Sequence, residues 1–476
     1  MEMAREGTQP VRARLGLWDA VSIIVGIVIG STIFKSPQII MSKVPSPEWG
    51  LGAWALGGVL SLIGALCYAE LASTYPRSGG DYVYLSRAFG PWCGFLFGWA
   101  QLAVILTASC AMLAFVFGEY AAQIWSPPAV IGSPDLWAAL LAAAAVVALS
   151  LTNILGVVLG KWTQNLLSLL KIIGLGAIVV VGFKHGRADV LAGPTTAGTM
   201  AFGTAMILVL YAYGGWNDAA FVAAEVRDRR NILRALILGT GLITIIYLAV
   251  NVAYLRVLGF ETMRKPETAV AAEVGRMTLQ DNGARAISVL VMVSALGAIN
   301  GLIFTGSRVY STLGAENSIF ALLGRWSPRL GSPVWSILIQ AAITLAMIAG
   351  VGTAFGRNGI DSVMGQLGLG AMPWDQYFGG FDTLLAGTAP VFWGFFLLSG
   401  LSLFALRQRD PDIERPFRVP LFPLLPLIFC GTCGYMLYSA IDWAKYIALI
   451  GAVPLAVGLP LYWMSRRTVA DESKGA

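Results

Sequence analysis

About twelve apolar runs, each near the ~20 residues that a helix needs to cross a bilayer, leave this chain few folds to choose from. In lipid every backbone N–H and C=O must be satisfied inside the protein, and runs of this length satisfy theirs as helices. They lie at 17–41, 50–75, 91–125, 136–155, 165–183 and 204–224, then at 235–258, 284–315, 334–350, 381–406, 421–438 and 446–464. The prediction is an all-α polytopic membrane protein of twelve transmembrane helices. Only 12% of the 476 residues are charged. An ordinary soluble domain carries about twice that fraction, so this class is excluded. The net charge of +6 would suit nucleic acid, but the Lys and Arg residues are scattered between the apolar runs instead of forming one patch.

Two of the runs are broken. In the first, Gly30-Ser31-Thr32 places a flexible residue and two hydroxyls where an uninterrupted helix is expected. Glycine costs roughly 1 kcal/mol against alanine in a helix, and the hydroxyls offer the backbone competing hydrogen bonds. The sixth run breaks at Tyr211-Ala212-Tyr213-Gly214-Gly215-Trp216. Open backbone is tolerated at membrane depth only where protein, water or a ligand satisfies it. The breaks lie five spans apart, an odd offset, so the two helices cross in opposite directions. That is the signature of a 5+5 inverted repeat, whose paired breaks mark a transporter's binding site. At the first break the N–H groups of Ser31, Thr32 and Ile33 would face a carboxylate at the positive end of a half-helix. At the second, the carbonyls of Tyr211, Ala212 and Gly214 would be left as acceptors for an ammonium. A carboxylate site beside an ammonium site describes an α-amino acid. Either break alone reads as a glycine kink for packing; the pair reads as a site.

The repeat divides the chain into a tail (1–16), a first five-helix unit (17–183), a linker (184–203), a second unit (204–406), helices eleven and twelve (407–464) and a closing tail (465–476). Positive charge places both termini in the cytoplasm, with Arg77, Arg87, Lys161, Arg227, Arg229 and Arg230 among the segments on that side. The residues at 78–85 read as a short interfacial segment and those at 267–277 as a short external helix. The Gly-rich stretch 350–380 reads as a partly ordered external loop. Glu225 reads as the partner of a nearby Arg. Cys430 and Cys433 lack a second ligand pair and read as packing rather than zinc. With one histidine, His185, and no phosphate-binding loop, no enzyme constellation, cofactor or metal site is expected. A channel is the other rival, and saturable counterflow separates it from a carrier.

Several long words carry a family resemblance: IVGIVIGSTIF (24–34), CYAELASTYPRSGGDYVYL (67–85), YAYGGWNDAAFVAAEV (211–226), RRNILRAL (229–236) and NGLIFTGSR (300–308). The chain resembles the amino acid–polyamine–organocation (APC) superfamily, and within it the L-type amino acid transporter family, bacterial-type. The resemblance implies a LeuT fold and alternating access around broken helices 1 and 6. Carried over by position, the implied substrate site is Val28, Gly30, Ser31 and Thr32 with Tyr211, Ala212, Gly214, Gly215, Trp216 and Asn217. Thr32 stands where the family usually has a second Gly, and would narrow the pocket. Eukaryotic members bond to a heavy chain through a cysteine after span three. The loop 126–135 has none, so no disulfide-linked heavy chain is expected.

Lys171 lies amid apolar residues about six positions into the fifth run, where it would be functional or would snorkel to the surface. Its position matches a lysine of sodium-independent family members, whose ammonium replaces a cation between helices one and eight. Relatives that accept cationic substrates can carry an acid where this chain has Gly214. Burying an unpaired ammonium there costs several kcal/mol, so a neutral amino acid of small to medium size is expected. Asp218, four residues on, reads as favouring the inner half-helix's N-terminus. Strong competition by lysine or arginine would instead make it a recognition residue. The expected function is a sodium-independent exchanger of neutral L-amino acids; the alternative is a proton-coupled amino acid or polyamine permease, including cationic substrates.

Overall fold

The computed structural model describes residues 15–472 except 132, 187, 191–201, 266–269, 367, 369–371, 373 and 375–378. Most of the predicted N-terminal tail and of the linker, and the last four residues of the closing tail, therefore lie outside the described residues. Helix α1 (Leu17–Val28) starts where the Asp19 carboxylate accepts the Gly16 N–H at 2.9 Å. After Ile29, Gly30 and Ser31, α2 (Thr32–Ser42) continues the run at a 51° bend. There follow α3 (Pro47–Thr74), the short α4 (Asp81–Phe89), α5 (Pro91–Ile124), α6 (Pro134–Ile154) and α7 (Val157–His185). The predicted interfacial segment at 78–85 thus enters a regular helix.

The sixth run becomes α8 (Phe202–Ala212) and, after the break, a 3-10 helix, Trp216–Glu225. The remaining helices are α9 (Arg229–Leu258), α10 (Val270–Glu316), α11 (Val334–Gly352), α12 (Ala354–Gln366), α13 (Gly379–Arg409), α14 (Leu424–Ala444) and α15 (Leu449–Glu472).

Among the described residues nine helices are long and apolar enough to cross a membrane, and the bent α1–α2 pair makes ten. The expected twelve fall short on this measure for a physical reason. The two pieces of the sixth run are each too short alone, and within α15 the stretch Gly451–Ser465 counts as a shorter apolar helix. Three local expectations change. The short external helix continues into α10, yet a Cβ on Gly275 would stand 2.7 Å from the Gly283 carbonyl oxygen, so the chain folds back there. The stretch 350–380 holds a regular helix, α12, whose Asp361 carboxylate accepts from the Met372 N–H and the Trp374 indole at about 2.9 Å. Helix α7 starts at Val157, eight residues early, because Gly156 takes a positive φ of 137° that lets the chain turn out of α6.

The break-bearing α1 sits at the centre, packed against α7, α9, α10 and the 3-10 helix. Its contact with α7 is close: a Cβ on Gly26 would lie 1.7 Å from the Gln164 amide nitrogen. A polar chain runs across this seam. The Asn153 amide donates to Asn300 at 2.8 Å, Asn300 donates to Gln164 at 2.8 Å, and Ser168 donates to the Ser22 carbonyl at 2.9 Å.

The face on which α1 begins is tied shut. Leu15 donates its N–H to the Glu225 carbonyl at 2.9 Å and accepts from the Arg227 N–H at 3.0 Å. The expected partner of Glu225 is Arg308, which donates to its carboxylate at 2.6 Å with both side chains 2% exposed. Nearby, Asp81 accepts from the Tyr68 hydroxyl at 2.5 Å and from Ser399. Burial pushes the Asp81 carboxyl up to about 6, against the pull of those two hydroxyls.

Candidate functional site

The two breaks meet. The Tyr247 hydroxyl of α9 lies 3.0 Å from the Val28 carbonyl and 3.1 Å from the Ala212 carbonyl, the last residues of α1 and α8. One hydroxyl thus sits within donating distance of both open helix ends, with a single proton for the two carbonyls. Beside it is a cavity of about 130 Å3, lined by Val28, Gly30 and Thr32 from the first break and by Tyr211, Gly214 and Gly215 from the second. Helix α5 supplies Gln101, Ser109, Met112 and Leu113, and α13 supplies Leu385, Thr388, Phe392 and Trp393. A larger cavity of about 460 Å3 opens beside Thr74, Arg77 and Glu316, and touches neither break.

The backbone chemistry at the breaks is polar at both ends. The Ser31, Thr32 and Ile33 N–H groups meet no backbone acceptor among the described residues, and α2 starts at Thr32, so they sit at its positive end. Across the cavity the Tyr211 carbonyl accepts the Gly214 N–H at 3.0 Å, and the Ala212 carbonyl is held by Tyr247. The sequence leaves both without helical partners; in the structure tight-turn geometry satisfies the first and a neighbouring helix the second. Gly215 has a positive φ of 104°, and a Cβ there would stand 2.6 Å from Ile27. The second break therefore needs glycine at this point.

Of the residues carried over by resemblance, Val28, Gly30, Thr32, Tyr211, Gly214 and Gly215 line the cavity together. Ser31 is buried beside it, and Ala212 lies under Tyr247. Trp216 packs away into a ring cluster with Tyr68 at 5.2 Å and Phe396 at 5.5 Å. Asn217 donates its side-chain amide to Asp218 at 3.0 Å.

Lys171 does not snorkel. It stands fourteen residues into α7, about 21 Å along the axis, and is fully buried. Its ammonium donates to the carbonyls of Gly26 and Ile29 at 2.8 Å each and of Ser294 at 3.1 Å. The Ser294 hydroxyl donates to the same Ile29 carbonyl at 2.8 Å. Every Nζ hydrogen therefore has an acceptor, in the gap between α1 and α10.

Asp218 stands in the first turn of the 3-10 helix. The cap of the 3-10 helix is Gly215, with no side-chain capping bond, and Asp218 lines the cavity. A 3-10 helix turns once in three residues, so Asp218 points the same way as Gly215. Tyr247, Ser294 and Gln101 escaped sequence reading. A Tyr or Ser inside an apolar run has no local mark. Gln101 opens a π turn, Gln101–Ile105, that no residue type announces.

The profile of the family described as amino acid permease matches residues 15–459. The chain belongs to the amino acid permease family. This permease is 31% identical to the human b(0,+)-type amino acid transporter 1 over 423 residues, 87% of this chain and 80% of that one. It is 27% identical to the serine/threonine exchanger SteT of Bacillus subtilis, over 97% and 98% of the two chains. Among solved structures it resembles the nucleobase-cation-symport-1 family transporter Mhp1 in a closed conformation with bromovinylhydantoin bound. The TM-score is 0.56 at 15% identity, over 95% of the permease and 99% of that chain. At that identity the likeness is one of fold: the permease has the LeuT fold.

Proposed function

We propose that this chain is a secondary-active exchanger of L-amino acids in the cell membrane, working without sodium by alternating access. One observation carries the reading: a single cavity is lined by both helix breaks, with the Thr32 N–H, which meets no backbone acceptor among the described residues, on one side and the carbonyls of the second break on the other. An α-carboxylate suits the start of α2 and an α-ammonium suits the carbonyls near Gly214. The amino acid transporters and exchangers among its relatives support the same function. Neutral side chains suit the apolar walls, Leu113, Leu385 and Phe392, with Thr32 limiting their size. Sodium independence rests on Lys171, whose ammonium occupies the place of a cation.

The face bearing Leu15, Glu225 and Arg308 is assigned to the cytoplasm on the distribution of Arg and Lys, with both termini inside. A carrier without a disulfide-linked heavy chain is proposed on the sequence, since the loop 126–135 holds no cysteine. Purified protein in liposomes, preloaded with each amino acid in turn, tests the proposal. Trans-stimulated uptake that is unchanged when sodium is removed is the expected result. Uptake without trans-stimulation, or only with sodium, would overturn it.

A further inference from the structure

The larger cavity, of about 460 Å3, is walled by Tyr75 and Arg77 at the end of α3, by Arg87 on α4 and by Glu316, the last residue of α10. Glu316 lies eight residues, about 12 Å, beyond Arg308, so this cavity belongs to the face where Leu15 and Glu225 meet. Two of its charges have no salt-bridge partner. Among the described residues Arg77 and Glu316 form no ion pair, although they lie within electrostatic range of each other. The Tyr82 hydroxyl hydrogen-bonds to the Glu316 carboxylate and accepts from the Asn317 amide at 3.1 Å, which holds the acid in place.

The second arginine is positioned by partners of its own. Arg87 donates to the Asp410 carboxylate through Nε at 2.5 Å and Nη2 at 3.0 Å, and its guanidinium lies 5.2 Å from the centre of the Tyr75 ring. The Tyr75 hydroxyl donates to the same carboxylate at 2.7 Å. Asp410 thus matches the charge of Arg87, whose Nη1 donors stay available to another acceptor. The stretch between the two arginines is fixed as well: the Gly79 N–H donates to the Phe221 carbonyl at 3.0 Å, and the Thr312 hydroxyl donates to the Ser78 carbonyl at 3.1 Å. One positive and one negative group therefore remain on a single preformed cavity. A fixed cation and a fixed anion that do not pair complement a ligand bearing the opposite two charges.

We infer that this cavity is a second site for a free zwitterionic amino acid, separate from the cavity between the breaks. The ligand's carboxylate would accept from Arg77 and from the spare donors of Arg87, and its ammonium would donate to Glu316. A simple anion would leave Glu316 unmatched, and a simple cation would leave Arg77 unmatched. The inference rests on the amino acid reading above and deepens it: the exchanged solute would be met twice, at the breaks and on the face bearing Leu15.

L-Alanine is the probe, with propionate and ethylamine as analogues that each lack one of its charges. Equilibrium binding of labelled alanine is measured in detergent on Gly30→Leu, in which the cavity between the breaks is filled. This variant should still bind one alanine per chain, and propionate and ethylamine should compete about tenfold less well or worse. Adding Arg77→Gln should weaken the binding about tenfold or more, the loss of one charge-assisted contact. Glu316→Gln should do the same from the ammonium side, and it carries the test if the arginine variant does not fold. Gly30→Leu that binds no alanine, or an affinity unchanged by both added substitutions, would overturn the inference. Propionate binding as tightly as alanine would overturn it too, since the cavity would then be a site for anions alone. Exchange by the native protein in proteoliposomes is read separately: its absence beside alanine bound to Gly30→Leu would sink the exchanger reading and leave the second site standing.

Discussion

The Lys171 ammonium and the Ser294 hydroxyl converge on one atom, the Ile29 carbonyl oxygen, each at 2.8 Å. That carbonyl lies at the first break, where the next turn of helix is missing. Two neighbouring helices, α7 and α10, thereby hold the broken backbone in place.

Removing the ammonium should expose this dependence. Lys171→Ala leaves the Gly26, Ile29 and Ser294 carbonyls short of a donor in a buried site. The exchange rate should fall about a hundredfold, ~3 kcal/mol, while the protein still inserts. Uptake by the native protein should be the same in sodium and choline buffers, and an absolute sodium requirement would contradict the assigned role.

The glycines at the breaks should tolerate small additions and refuse large ones. A Cβ on Gly30 would meet Leu113 at 3.4 Å, and one on Gly214 would meet the Tyr211 carbonyl at 3.2 Å. Gly30→Ala should therefore keep measurable binding, whereas Gly30→Leu and Gly214→Leu should abolish it by filling the cavity. Equilibrium binding to detergent-purified variants of native-like elution profile checks this. Normal affinity in Gly30→Leu would remove the site from the first break.

Tyr247 should matter more than any sequence pattern suggests. In Tyr247→Phe the ring packing survives, but the bonds to Val28 and Ala212 are lost. Leaving buried carbonyls without that donor costs about 1–3 kcal/mol, or roughly five- to 150-fold in substrate affinity. Isothermal titration against the best substrate reads the loss directly. A change of less than about twofold would show that the two breaks are held by other contacts.

The pair of Arg308 and Glu225 should behave as a buried ion pair. Arg308→Met leaves an uncompensated buried carboxylate, a penalty of about 3–5 kcal/mol. The double variant Arg308→Met with Glu225→Gln should recover much of that loss. Thermal melts of the three proteins in one detergent form the cycle, and purely additive effects would argue against coupling.

Much of this architecture is legible in the residues themselves, because the bilayer leaves few choices. Gly30, Ser31 and Thr32 stand out in an apolar run, as do Gly214 and Gly215, and the structure breaks at both places. Lys171 is equally visible, since a buried charge at membrane depth demands a reason. What stays hidden depends on rotation and distance. Tyr247 is 35 residues from Ala212 and far from Val28 in sequence, so nothing local marks its double role. Asp218 reads as favouring the inner half-helix's N-terminus, and nothing in the sequence shows that it also lines the cavity. The observed 3-10 geometry turns it under Gly215 and into the cavity. The span count suffers from the same limits, since each half of a broken helix falls short of a full crossing.

The two backbone bonds of Leu15 have a mechanical meaning. They splice the entry of α1 to the exit of the 3-10 helix, joining the segments that carry both breaks at a point remote from the cavity. Segments fastened at both ends cannot swing separately. Whatever torque opens one break is delivered to the other.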